Sequence, residues 1–133
     1  MALSGLVEEE NVEAVLGAKI EEGSARIVYA YDGENSLVIK KGKYPPYISN
    51  FTEWIIWSQI AETERAAIFG ACYALSRTGL YLIMERLDSL QDTDAMIGAP
   101  VWTTDSKRSA QGRNAANIIK IRDYGTVALS RVL

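Results

Sequence analysis

The chain has 133 residues, about one domain's worth at typical domain sizes, and is 48% apolar and 23% charged, too apolar for a disordered segment. It has no histidine and one cysteine, Cys72, which excludes a Ser-His-Asp triad, a Cys-His dyad, a His-ligated metal and an internal disulfide. Lys and Arg number 14 against 17 Asp and Glu, and the net charge of −3 argues against a general nucleic-acid binder.

The charge is unevenly placed. Residues 1–22 carry six glutamates against Lys19, a net of −5, while residues 104–133 carry six cations against Asp105 and Asp123, a net of +4. Opposite ends of this kind attract each other, within one fold or between copies. No stretch reaches the ~18–20 apolar residues of a membrane span. The first ten residues lack the basic start and apolar run of a signal peptide. The expectation is a cytoplasmic or otherwise intracellular protein with one domain over 1–133 and no membrane contact.

In chain order, residues 3–10 (LSGLVEEE) are ambiguous, and Ser4 would cap a short helix with the glutamates in its first turns. Val12, Ala14, Leu16, Ala18 and Ile20 are apolar at every second position, a period that predicts a strand. Glu21 to Ser24 reads as a turn. Ala25 to Tyr31 is β-branched and aromatic, a second strand, and the Asp32-Gly33 turn leads to a third over Ser36 to Lys41. Pro45 and Pro46 interrupt the chain in a loop over 42–50. A long helix is predicted from about Thr52 to Arg77, stopped by Gly79. Leu80 to Leu87 is apolar on both alternating faces and suits a central strand. Residues 88–98 form a connection, with a helical turn near Asp92 or Asp94. Ala99 to Thr103 is a short edge strand at best, and 104–115 is a flexible polar loop. Two strands, 117–122 and 126–133, join through Asp123-Tyr124-Gly125. The predicted class is α+β: an antiparallel sheet of five to seven strands, β-β-β-α-β-(β)-β-β, with one long helix on one face.

The long helix carries most of the functional expectation. Its apolar side includes Trp54, Trp57, Ile60, Ile68, Ala71 and Cys72, and Glu64 falls in the middle of it. A carboxylate there is either a general acid, base or recognition point, or the partner of an arginine such as Arg26, Arg86 or Arg122. The opposite side carries Ile55, Phe69 and Tyr73 around Glu62, a second apolar stripe. Such a stripe is covered by residues 88–115 of the same chain, by a second subunit or by a protein partner.

Other chemistry is sparse. The scattered glycines make no phosphate loop or dinucleotide fingerprint. Asp92-Thr93-Asp94 is read as a helix cap or, less simply, a Mg²⁺ site, and Cys72 as a buried structural thiol. Lys107, Arg108 and Arg113, with Gln111 and Asn114, form the richest polar cluster. Trp102 stands just before it, so the set suits an anion, an acidic protein surface or RNA. Nothing calls for a cofactor or a resident metal.

No family motif stands out. In element order and low pI the chain is similar to small acidic secretion chaperones, in which a helix lies across an antiparallel sheet and pairs in a dimer. Profilin-like and roadblock-like modules are another partial match in layout. The expectation is a non-catalytic protein-binding module (a small chaperone, an inhibitor or immunity-type antagonist, or an adaptor) that self-associates or docks through Ile55, Phe69, Tyr73 and Glu62. A small-molecule-binding protein or minor enzyme, with a pocket between helix and sheet around Glu64, is the alternative. Nucleic-acid binding through 107–114 is the third reading.

Overall fold

The computed structural model describes residues 2–100 and 107–125. The chain starts with a short strand, β1 (Gly5–Val7), and a brief helix, α1 (Glu9–Glu13). Three strands then run back and forth: β2 (Leu16–Glu22), β3 (Arg26–Tyr31) and β4 (Leu37–Gly42). After the helix α2 (Ile48–Ile60) comes a 3₁₀ turn, Glu64–Ile68, and then β5 (Cys72–Ser76) and β6 (Tyr81–Glu85). The last part holds β7 (Asp88–Ser89), a 3₁₀ turn at Arg108–Ala110, β8 (Gln111–Arg113) and β9 (Ile119–Ile121).

The fold is α+β, as the sequence predicts. A six-stranded sheet has the order β1-β5-β6-β4-β3-β2, and a three-stranded sheet has the order β7-β8-β9. The larger sheet is mixed rather than antiparallel, because β1 joins β5 in parallel while its other pairs are antiparallel. The β2–β3–β4 meander forms, with β3 and β4 close to where they are expected, and Gly33 takes the positive φ of 82° that the Asp-Gly turn needs. The Leu80–Leu87 run is indeed central: β6 lies between β4 and β5, and its Leu82, Ile83 and Met84 are all fully buried. The sheet has cover on both faces. Val38, Leu75, Leu82 and Met84 pack with Ile60, Phe69, Ile121 and Tyr124, while Ile39, Ala74 and Ile83 pack with Val12, Tyr31 and Tyr81.

The largest correction concerns residues 52–77. They are not one helix: α2 stops at Ile60, and the chain turns and returns as β5. Thr63 makes the break, its hydroxyl donating to the Ile60 carbonyl and accepting from the Arg65 amide. Gly70 then has no room for a side chain, since a Cβ there would lie 2.9 Å from the Leu87 side chain. Cys72-Tyr-Ala-Leu-Ser alternates buried and exposed at its start, a strand's pattern that a helical wheel also accommodates. At the other end, Gly79 (φ 83°) closes the β5–β6 turn with the Phe51 ring packed over it, rather than ending a helix.

Smaller corrections follow the same logic. The predicted strand over 12–20 is split, with Val12 in α1 and fully buried, and β2 beginning at Leu16. Residues 3–10 supply a strand before the helix. At 92–94 the chain makes a single turn, closed by the Asp94 amide donating to the Gln91 carbonyl at 3.0 Å, and no helix follows it. Residues 107–115 of the expected flexible loop are folded, with Ala110 and Gln111 buried; 104–106 lie outside the described residues. The strand at 117–122 appears as β9, whereas the one at 126–133 also lies outside, as do residues 101–103 of the short edge strand. Among the described residues no helix is long and apolar enough to cross a membrane.

Candidate functional site

The meander, α2 and the end of β9 converge on a buried polar cluster. Glu53 projects from α2 and has no exposed surface. Both its oxygens meet the Arg26 guanidinium of β3 at 2.7 Å, a two-pronged pair. Lys40, from the centre of β4, reaches the same carboxylate at 3.1 Å and Asp123 at 3.1 Å, and its third donor goes to the Arg122 carbonyl. The Tyr124 amide donates to Glu53 as well, at 3.0 Å. Asn50, one turn before Glu53, accepts from Arg26 and donates toward the Lys40, Gly79 and Leu80 carbonyls. Among the described residues no buried side-chain nitrogen or oxygen lacks a partner.

Electrostatics holds this cluster ionised. Burial pushes the Glu53 carboxyl up, but Arg26 and Lys40 outweigh it, so the group sits below the usual carboxylate range. Asp123 is likewise driven up by burial and more strongly down by Lys40 and Arg26. Burial lowers the Arg26 value, and Glu53 raises it to a net increase. Below the cluster, Tyr124 is fully buried, donates to the Gly70 carbonyl at 2.8 Å and sets its ring edge-on to Phe69 at 5.0 Å.

The cluster forms the inner wall of a cleft between the two sheets. One chamber, of about 390 Å³, is lined by Arg26, Lys107, Ser109, Arg122, Asp123 and the Glu21–Ala25 turn. A smaller slot of about 80 Å³ is lined by Ile20, Val28 and Val38 from the larger sheet and by residues 85–89, with Lys40 also on its wall. Glu21, Val28, Arg122 and Asp123 line both spaces, so the two are contiguous. The chamber brings Arg26, Lys107 and Arg122 together with Glu21, Glu22 and Asp123, and the slot adds an apolar lining of Ile20, Val28, Val38 and Leu87. Among the described residues no group of three or more potential metal ligands lies together.

The residues singled out from sequence are dispersed. Glu64 is exposed at the start of the 3₁₀ turn, and Glu62 is exposed in the loop before it. Arg26, one of the arginines offered to Glu64, is the partner of Glu53. Ile55 (53% exposed, on α2) and Tyr73 (43%, on β5) reach the surface from different elements, and Phe69 between them is wholly buried, so no stripe exists. Arg108 and Arg113 hold down the 92–94 segment. Arg108 donates to the Asp94 carbonyl, and Arg113 pairs with the Asp94 carboxylate, which also accepts from the Gln91 amide. Of that polar cluster only Lys107 lines the chamber. Trp102 lies outside the described residues. Cys72 is buried as expected, though on a strand, with its sulfur 3.2 Å from the Tyr124 hydroxyl.

Sequence reading missed Lys40, Glu53 and Asp123. A signal existed for each: a lysine inside an apolar strand run (Leu37-Val38-Ile39-Lys40), a glutamate flanking tryptophans on the sheet-facing side of a helix, and an aspartate in an Asp-Tyr-Gly turn. No protein-family model matches the chain, and no curated protein matches it.

Proposed function

We propose that the chain binds a phosphate-bearing small molecule of the nucleotide class in the cleft between its two sheets. The observation that carries this reading is the position of Lys40, on a central strand, between the buried helix glutamate Glu53 and the loop aspartate Asp123. A strand lysine fixed by a helix glutamate, next to an Asp-aromatic-Gly loop, resembles the set with which protein kinases hold nucleotide phosphates and their divalent cation. Here the three roles fall to Lys40, Glu53 and Asp123-Tyr124-Gly125. Arg26, Lys107 and Arg122 on the chamber wall favour the phosphates, and the slot beside it adds the apolar side chains of Ile20, Val28, Val38 and Leu87, against which a base would lie if the slot widened. Asp123 would face a cation carried in with the phosphates.

The chain departs from that pattern in two places. The β2–β3 turn, Glu22-Gly23-Ser24-Ala25, has one glycine where a glycine-rich phosphate loop has three, and no H-R-D catalytic segment occurs. The reading is therefore binding, and no transfer step is assigned. It belongs to the small-molecule alternative drawn from the sequence, moved from Glu64 to the Glu53 cluster.

Thermal unfolding with nucleoside triphosphates, with and without Mg²⁺, tests it. A ligand at 100 times its Kd stabilises by about 2.7 kcal/mol, which raises Tm by several degrees in a domain of this size. The shift should vanish in Lys40→Met and shrink in Asp123→Asn. No shift from any nucleoside triphosphate at millimolar concentration overturns the reading.

A further inference from the structure

We infer that Arg122 is a built-in plug that keeps the slot too small for a base while leaving the chamber roomy; this rests on the nucleotide-binding reading above. The Arg122 guanidinium crosses the cleft. It donates to the Leu87 carbonyl at 2.8 Å and to the Ser109 carbonyl at 3.0 Å, and it reaches the Ser89 hydroxyl at 3.5 Å. Glu21, across the mouth, is 3.7 Å away as a counter-charge. The Arg122 side chain is only 11% exposed, so these contacts are made inside the cleft rather than over it.

Size decides what the plug excludes. A cavity of about 150 Å³ accepts a benzene ring, and the slot measures about 80 Å³ with Arg122 in place. A single aromatic ring is therefore too large for the slot as it stands, and a fused nucleobase more so. The chamber, at about 390 Å³, is within the usual range for a small-molecule pocket. Arg122 is also the residue whose backbone carbonyl accepts from Lys40, so the plug is anchored to the ionic cluster at its root. At rest the protein offers phosphate contacts and withholds the surface a base would cover.

The test measures affinity for each of the four common nucleosides and, separately, for inorganic tripolyphosphate, by calorimetry on the full chain. In Arg122→Ala at least one nucleoside should bind ten times or more tighter than to the original chain, while tripolyphosphate binds more weakly because one cation of the chamber wall is gone. Arg122→Gln, which keeps an amide donor in place, guards against loss of folding in the alanine variant. In the unaltered chain a nucleoside triphosphate should bind within about threefold of tripolyphosphate, because the base adds little. Nucleosides binding the variants no better than the original overturns the plug. So does a triphosphate that binds the original thirty times tighter than tripolyphosphate. In both cases phosphate binding shows that the nucleotide reading stands. If no probe binds any of the three proteins, both the plug and the nucleotide reading fall.

Discussion

Arg26 and Glu53 stand 27 positions apart in the chain and meet through two parallel hydrogen bonds of 2.7 Å, one to each carboxylate oxygen. The carboxylate has no contact with solvent, and the arginine side chain is 12% exposed. Taking both charges out of water is costly, and what offsets it is saturation: Arg26, Lys40 and the Tyr124 amide all donate to one carboxylate. The pair ties β3 to α2, and through Lys40 and Asp123 it ties both to the end of β9.

Removing Glu53 leaves two cations buried against each other. Breaking a buried pair from one side typically costs about 3–5 kcal/mol, so Glu53→Ala should lose that much in urea unfolding. Glu53→Gln keeps the volume and some hydrogen bonds and should lose less. A Glu53→Ala variant within about 1 kcal/mol of the original would mean that the network contributes little to folding.

The cluster also sets an acid limit. Glu53 and Asp123 are held below their usual range in the folded protein. As pH falls through about 5 to 3, the unfolded chain takes up protons near the ordinary values of about 4.3 and 3.9, and the folded chain does not. The unfolded state binds more protons there, so stability is fully present above that window and declines as pH drops. The urea midpoint should fall steadily from pH 6 to pH 3, and Asp123→Asn should flatten that fall. Glu22, lowered to about 2 by hydrogen bonds from Lys43 and Lys19, lies at the surface and its share is screened by solvent. A midpoint that does not change over this range would contradict the buried pairing.

The meander, the central strand at Tyr81–Glu85 and the α+β class were legible because alternation and turn residues are local signals. The attraction between the acidic start and the basic end was legible too, and Glu21 with Arg122 is one place where it acts within the chain. Residues 61–76 were not legible in this way. Ala67, Ala71 and Ala74 fit a helix face, and only the tertiary need to bury Phe69 and Cys72 beside Tyr124 selects a turn and a strand. The site was hidden for a related reason. Lys40, Glu53 and Asp123 are separated by 13 and 70 positions, and each alone reads as a surface charge. Nothing in a one-dimensional pattern marks a charge that is buried only because its partners are buried with it.

The revised path of residues 61–76 gives opposite expectations for two neighbours on the abandoned stripe. Phe69 is wholly buried, edge-on to Tyr124, and Phe69→Ala should cost about 3–5 kcal/mol. Ile55 is 53% exposed on α2, so Ile55→Ala should stay within about 0.5 kcal/mol. Urea unfolding of the two variants decides it. Equal and small losses would put Phe69 back on an open surface.

Cys72 gives a chemical readout of the same core. Burial raises its thiol to about 12, with Glu53 adding to the rise, so almost no thiolate exists at pH 8. Its sulfur lies against the Tyr124 hydroxyl and the Glu53 carbonyl, away from solvent. An alkylating reagent should therefore label the native protein only through opening of the fold. Labelling at pH 8 should be slow, should accelerate with urea below the unfolding midpoint, and should be faster in Glu53→Ala by the same factor as that variant's rise in unfolded population. Fast labelling of the unaltered protein in plain buffer would place the thiol at the surface and would undo the packing of β5 against α2 on which the cluster depends.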